Sequence, residues 1–112
     1  MLKIVLNNGT EFNDSLISKT VANNQIYISV HGISIVDAAI IFGNKNNTST
    51  MECYNGIYKY IYKGFTDIDS VSLDTVNNNA AIYMSGSDTS IERETIIDQI
   101  FIPEGMKDTE EE

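Results

Sequence analysis

The side chains in this chain that could do chemistry are few, and the first pair to consider is a thiol and an imidazole. Cys53 is the single cysteine and His31 the single histidine among 112 residues. A cysteine beside a histidine could act as a nucleophile if the fold brought the two together. The residues around Cys53, MECY, match no nucleophile signature. We therefore interpret Cys53 as a small buried apolar residue.

Three aspartates, Asp67, Asp69 and Asp74, raise the possibility of a calcium site. An EF-hand loop needs glycine at its sixth position and glutamate at its twelfth, and counting from Asp67 these positions hold Ser72 and Asn78. We therefore interpret the aspartates as a solvated strand face, and we predict no metal and no cofactor. The chain also lacks the nucleophile elbow, the dinucleotide-binding glycine motif and the phosphate-binding loop. The sequence predicts a protein without catalytic residues that is not an enzyme.

Tyrosines form the most distinctive pattern. Tyr58, Tyr60 and Tyr62 occupy every second position, so in a strand they share one face. Tyr27 and Tyr83 are predicted to lie on the more polar faces of their own strands. Together these five are the candidate interaction face, because tyrosine gives a sugar ring or a partner protein a large contact area at small entropic cost. The alternative is that they are ordinary strand residues, half-buried with a solvated hydroxyl.

Length and charge restrict the partners. A chain of this length is one domain, and 42% hydrophobic residues can build a modest core. The formal net charge is −9 with 7 scattered basic residues, which disfavours binding to nucleic acid or to an anionic membrane. No apolar stretch approaches the roughly 20 residues of a membrane span or the core of a signal peptide. We expect synthesis in a bacterial cytoplasm, a β-rich domain over residues 1–105 and an acidic, disordered tail over 106–112.

Short alternating segments between asparagine- and glycine-rich turns predict antiparallel hairpins. The strongest turn signal is Asn55-Gly56, between two alternating segments. Residues 91–102 fit either a strand or a helix; we favour the strand, and Pro103 ends either. The predicted strands cover residues 2–6, 11–12, 16–22, 25–31, 49–54, 57–63, 65–74 and 80–84.

One helix is predicted, over residues 34–42, followed by a polar loop over 44–48. Ser34 can cap its free amides, with Asp37 completing a capping-box-like pair. Gly43 suits the left-handed position that ends a helix. Residues expected to pack on the sheet are Ile35, Val36, Ala39, Ile40 and Phe42. The predicted fold class is mainly β: a small β-sandwich or partly open barrel of antiparallel hairpins with one short helix.

Three segments carry a family resemblance: LKIVLNNGT at residues 2–10, the helix over 34–42, and YIYKGFT at 60–66. In this order they resemble a group of short β-rich proteins encoded among the virion and tail genes of phages and prophages of low-GC Gram-positive bacteria. The use of Ile, Asn and Lys in preference to Val, Ala and Arg agrees with AT-rich coding. The resemblance implies a virion-associated setting.

These observations lead to one expected function and two alternatives. The expected function is a non-enzymatic structural module of a phage tail or baseplate, which contacts other virion proteins and copies of itself through strand edges and the tyrosines. One alternative is a ligand-binding module that holds cell-surface carbohydrate on the tyrosines; the other is a small capsid-decorating protein. Binding of a ligand predicts tyrosines exposed around a concavity, whereas assembly predicts tyrosines buried between subunits.

Overall fold

The computed structural model describes residues 2–96, whose strands form two antiparallel sheets. The strands are β1 (Leu2–Val5), β2 (Glu11–Asn13), β3 (Leu16–Lys19), β4 (Gln25–His31), β5 (Thr50–Asn55), β6 (Tyr58–Lys63), β7 (Asp67–Asp74), β8 (Asn79–Ser85) and β9 (Ser90–Thr95). Helices α1 (Ile35–Phe42) and α2 (Lys45–Thr48) lie between β4 and β5. Sheet A has the order β2-β1-β5-β6-β9 and sheet B the order β3-β4-β8-β7. The predicted mainly β fold of hairpins, arranged as a small sandwich, is confirmed.

The core lies between the two sheets and follows the two-residue alternation of the strands. Fully buried apolar side chains on the facing sides are Ile4, Met51 and Cys53 of sheet A and Ile26, Ile28, Val30, Ala80, Ile82 and Met84 of sheet B. Strand β3 packs over β1 and β5, and β4 packs over β2. In the order of sheet A, β6 and β9 therefore continue beyond the strands that sheet B covers.

The β5–β6 hairpin forms as predicted, but its turn lies one residue later. Asn55 pairs with Tyr58, so the two loop residues are Gly56 and Ile57. Gly56 has φ +65°, and a glycine with positive φ at the first loop position is typical of a type II′ turn. Each residue of β5 therefore pairs with a residue of β6 two positions away from the predicted partner. Because side chains alternate with a period of two, the same side chains remain on each face of the hairpin.

Helix α1 begins as predicted but packs with another face. The Ser34 hydroxyl accepts a hydrogen bond of 3.0 Å from the Asp37 amide. Only Ala38 and Phe42 of this helix are buried. Four of the residues expected to pack on the sheet point to solvent instead: Ile35, Val36, Ala39 and Ile40. Apolar residues surround the helix on most sides, so their spacing could not identify the packed face.

Gly43 ends α1 in a right-handed conformation with φ −78°, so the left-handed prediction is wrong. Glycine is still required at this position, because a Cβ atom at Gly43 would lie 2.6 Å from the Ala39 carbonyl oxygen.

The prediction of a loop over residues 44–48 is also wrong, since this segment contains the single turn of α2. The Asn44 side chain accepts from the Asn46 amide at 3.0 Å and caps this turn, which has no apolar periodicity to reveal it.

Two strand boundaries differ from prediction by more than one residue, because β3 ends at Lys19 and β7 begins at Asp67. The strand favoured for residues 91–102 is confirmed as far as Thr95, where β9 ends. The remainder of that segment and the predicted acidic tail lie outside the described residues. No helix among the described residues is long and apolar enough to cross a membrane.

Candidate functional site

The five candidate tyrosines lie on two different surfaces. Tyr58, Tyr60 and Tyr62 share one face of β6, as predicted, and this face points toward the core side of sheet A. Tyr27 and Tyr83 pair across β4 and β8 on the outer face of sheet B. The structure therefore separates the predicted interaction face into a group of three and a group of two.

Burial decreases along the tyrosines of β6. Tyr62 is 4% exposed and lies opposite the buried Met51. Tyr60 and Tyr58 are half-buried. Their ring centroids follow one another at 6.4 Å from Tyr62 to Tyr60 and at 6.2 Å from Tyr60 to Tyr58. Sheet B covers the strand incompletely, so the row passes from the core to the surface.

The main chain of β3 is held against sheet A at Ile17. The Ile17 amide lies 3.4 Å from Cys53 Sγ, and the Tyr62 hydroxyl donates to the Ile17 carbonyl at 3.2 Å. Burial raises the pKa of the Cys53 thiol, against the opposing effect of the Ile17 amide. Burial also raises the pKa of the Tyr62 hydroxyl. Both groups therefore stay neutral and serve packing.

His31 lies on the far side of sheet B from Cys53. Its side chain is exposed at the end of β4, where ring Nδ1 is 3.2 Å from the side-chain amide of Asn79. Cys53 is fully buried between the sheets. The structure therefore does not bring the single histidine and the single cysteine together.

The three aspartates of β7 have separate partners. Asp67 lies 3.1 Å from the Lys45 ammonium group, and Asp69 accepts from Gln25 and Ser85. Asp74 closes the turn after β7, and the hydrogen bond from the Asn77 side chain lowers its pKa. Among residues 2–96, no group of three acidic, histidine or cysteine side chains could hold a metal ion.

A cleft opens where β6 extends beyond β3. It has a volume of about 540 Å³, and we call it the β3–β9 cleft. A smaller hollow of about 300 Å³ shares Lys19 and Ile91 with it and continues toward the β3–β4 turn. The residues that line the β3–β9 cleft are Leu16, Ile17, Ser18, Lys19, Asn55, Tyr60, Tyr62 and Ile91. The cleft thus joins two of the predicted tyrosines to residues that sequence patterns did not indicate.

Strand β9 borders this cleft and has a free edge. Within residues 2–96 it pairs only with β6, which leaves its other edge without a partner strand there, and all its side chains are exposed. The Ile96 amide donates to the Ile57 carbonyl at 2.8 Å, so Ile96 and Ile57 form a hydrogen-bonded pair. In an antiparallel ladder such pairs alternate with pairs that exchange no hydrogen bonds, and this fixes the pattern along β9. Backbone groups of every second residue therefore point away from β6. These residues are Ile91, Arg93 and Thr95.

The two faces of β9 differ in chemistry. On the cleft side, Ile91 is 38% exposed, and the guanidinium of Arg93 lies 4.6 Å from the centroid of Tyr58. On the other side, Glu94 lies 3.5 Å from the Lys59 ammonium group. Glu92 has no ion pair among the described residues. Sequence patterns favoured a strand here but did not indicate that β9 lies at the edge of sheet A.

Lys59 holds several charges together on the outer face of sheet A. Its ammonium group lies 3.9 Å from Glu52 and 5.8 Å from the centroid of Tyr54. Desolvation lowers the pKa of Lys59, but Glu52 and Glu94 reverse this effect, so the pKa is raised overall. Burial and the hydrogen bond to Glu52 raise the pKa of the Tyr54 hydroxyl. The ammonium group of Lys59 is therefore already paired with Glu52 and Glu94 within the fold.

Tyr27 and Tyr83 form a second, smaller surface. Their rings pack edge to face with centroids 5.1 Å apart, and Tyr83 is 37% exposed. Asp69 accepts nearby from Gln25 at 2.9 Å and from Ser85 at 3.0 Å. This surface combines one accessible aromatic ring with fixed polar groups.

Comparison with protein-family models finds none that matches the chain, and comparisons with curated proteins and with solved structures also find no match.

Proposed function

We propose that this protein is a non-enzymatic interaction module that binds another protein through the β3–β9 cleft, in the virion-associated setting that its sequence resemblance implies. One observation carries this proposal. The half-buried Tyr60 and the exposed Ile91 lie beside a strand edge whose backbone groups have no partner among the described residues. An extended segment of another protein supplies both apolar side chains and backbone hydrogen bonds, which such a surface needs.

The composition of the cleft favours a protein over a sugar. Its walls are mostly aliphatic and aromatic, and its polar side chains are Ser18, Lys19 and Asn55. A sugar presents many hydroxyl groups, each of which needs a fixed partner when it is desolvated. The backbone amides and carbonyls of a peptide can instead hydrogen-bond with those of β9.

Selection from a random peptide library on the immobilised full chain tests this function. The site variant is Ile91→Asp, which places a charge at the cleft, and the matched control is Val76→Asp in the exposed β7–β8 turn. We expect peptides that bind the unaltered chain and Val76→Asp but bind Ile91→Asp at least tenfold more weakly. Failure to recover any peptide with this discrimination would overturn the proposal.

Self-association remains a prediction, as do the choices among tail, baseplate and capsid. Light scattering over a concentration series measures the mass directly. A mass that stays at the monomer value would contradict the prediction of a homo-oligomer, whereas the mass of a ring or trimer would support it.

Carbohydrate binding is a second candidate function, now at a different place. The observation that favours it is the exposed edge of Tyr83, with Asp69 and Gln25 fixed nearby. A titration with fragments of Gram-positive cell-wall polysaccharide, followed by NMR, tests it. Shift changes that centre on Tyr83 and disappear in Tyr83→Ala would support this candidate, and their absence at millimolar sugar would remove it.

A further inference from the structure

We infer that the partner segment is an extended strand of alternating apolar and basic residues, which adds to the free edge of β9. This inference rests on the proposed function and specifies its ligand. It follows from three properties of β9: the direction of its backbone groups, the surface on its cleft side and the charges on its other side.

The direction of the backbone groups sets the first requirement. Ile91, Arg93 and Thr95 present amides and carbonyls at the open edge. An added strand that exchanges hydrogen bonds with these residues places its own alternate side chains on the same face as theirs. The ligand must therefore be extended, with free amides at every second residue.

The cleft side sets the second requirement. Ile91 lies opposite Tyr62 on β6 and is 38% exposed, at the border of the β3–β9 cleft. A residue placed opposite Ile91 on the added strand points over the mouth of this cleft. An apolar side chain there removes its own surface and that of Ile91 from water.

The other side sets the third requirement. Residues of the added strand that alternate with the apolar ones lie beside Glu92 and Glu94. Glu94 shares Lys59 with Glu52, and Glu92 has no ion pair among residues 2–96. Opposite charges across neighbouring strands stabilise a sheet, and like charges destabilise it. Lysine or arginine is therefore favoured at these positions.

The same charges disfavour the alternative occupants that this chain could supply. Among the other edge strands of residues 2–96, β7 carries Asp67, Asp69 and Asp74, β2 carries Glu11, and β3 is closed at Ile17 by Cys53 and Tyr62. A second copy would thus bring carboxylates to β9. The segment after β9 carries Lys107 as its single basic residue, with acidic residues at Asp98, Glu104, Asp108, Glu110, Glu111 and Glu112. A basic segment of a different protein is the better match.

The test uses a synthetic six-residue peptide that alternates lysine and valine, with blocked ends. It is titrated into the isotope-labelled full chain at low salt and followed by amide NMR. We expect saturable shift changes in β9 and at Tyr60. A peptide with glutamate in place of lysine is expected to bind at least tenfold more weakly, since each lysine–glutamate pair becomes a like-charge pair.

Two matched changes separate backbone pairing from general attraction of charges. The valine amides face β9 in an antiparallel ligand and the lysine amides face it in a parallel one. N-methylation of the set that faces β9 removes the hydrogen bonds and is expected to abolish binding, whereas N-methylation of the other set is expected to be tolerated. Glu92→Lys is expected to weaken binding of the lysine peptide by about threefold to tenfold. The matched control Glu11→Lys, on the opposite edge of sheet A, is expected to leave binding within a factor of two.

The outcomes distinguish this inference from the proposed function. Library peptides that bind the cleft without preference for lysine over glutamate, or that tolerate N-methylation of both sets of amides, would overturn the inference and leave the proposed function standing. A rise in affinity on Phe101→Asp would instead assign the edge to the chain's own following segment. A peptide-sensitive dimer in light scattering would assign the edge to a second copy. Either result overturns the inference.

Discussion

Tyr62 of β6 and Ile17 of β3 connect the two sheets through one hydrogen bond, in which the tyrosine hydroxyl donates to the isoleucine carbonyl at 3.2 Å. The bond satisfies a backbone group on an edge strand that would otherwise be buried without a partner. Cys53 provides the matching contact to the Ile17 amide. The edge of β3 is therefore closed by side chains of sheet A, which leaves β9, among the described strands, as the open edge beside the cleft.

Loss of the Tyr62 hydroxyl should destabilise the fold. We expect Tyr62→Phe to lower the free energy of unfolding by about 1–3 kcal/mol, because the Ile17 carbonyl stays buried without a donor. Tyr60→Phe is the matched control, since the Tyr60 hydroxyl has no hydrogen bond within residues 2–96; we expect a change within about 0.5 kcal/mol. Urea denaturation followed by circular dichroism measures both values. Equal effects of the two substitutions would argue against the role of the Ile17 contact.

Stability should decrease in alkaline solution. The pKa values of Cys53 and Tyr62 are raised above their ordinary values of 9.0 and 10.0 in the folded protein. The unfolded chain therefore loses these protons first, so the stabilisation is present below pH 9 and is lost as the pH rises above it. Melting temperatures measured from pH 7 to 11 should fall above pH 9. The slope above pH 10 should be smaller in Tyr62→Phe, and an unchanged slope would contradict this cause.

Thr48 offers a stabilising substitution. Its side chain is fully buried, and its hydroxyl has no hydrogen-bond partner among the described residues. We expect Thr48→Val to raise the free energy of unfolding by about 1 kcal/mol, because it replaces an unsatisfied polar group with a methyl group of similar shape. Thr48→Ala, which also removes a packed methyl group, should not stabilise. Thermal denaturation of the three proteins checks this order.

The two faces of α1 should respond differently to substitution. Phe42 is fully buried and packs at 5.7 Å from the Phe12 centroid, so we expect Phe42→Ala to cost about 3–5 kcal/mol. Ile40 on the same helix is 68% exposed, and Ile40→Gln should stay within about 0.5 kcal/mol. Urea denaturation of the two variants and the unaltered protein measures both changes in the free energy of unfolding. A large cost at Ile40 would place that side chain in a packed interface.

Gly64 should be essential for the position of β9. It has φ +85°, and a Cβ atom there would collide with the Asp88 carbonyl in the loop that leads into β9. We expect Gly64→Ala to destabilise the fold by several kcal/mol and to raise amide exchange in β9. Gly9→Ala, at φ +91° but in open space, should cost only the strain of positive φ, about 1–2 kcal/mol. Hydrogen exchange compares the two variants.

Most of the fold could be predicted from local patterns. The alternation of residues in β4 places Ile26, Ile28 and Val30 on one face of the strand, and all three are fully buried. The β1–β2 and β5–β6 turns contain glycines with positive φ, and both predicted hairpins form, the second with its turn one residue later than predicted. Ser34 marked the start of α1. These features depend on neighbouring residues, so the sequence contains their signals.

The errors concern features that depend on tertiary packing. The buried face of α1 is decided by β7 and β8, which the helix contacts, and not by its own apolar residues. The tyrosines of β6 share a face by local geometry, but only the extent of sheet B determines that Tyr62 is buried while Tyr60 borders a cleft. The free edge of β9 follows from the strand order, which no local pattern specifies.

The β5–β6 turn also lies beside both limits of the described residues, Leu2 and Ile96. Leu2 pairs with Asn55 just before this turn, and the Ile96 amide bonds to Ile57 within it. Both ends of the described chain therefore emerge at one end of sheet A, separated by three strand spacings of about 4.8 Å each. A short linker could join them, and new ends could be opened at the exposed β7–β8 turn. Residues 2–96 are thus suited to circular permutation and to insertion into a surface loop of another protein.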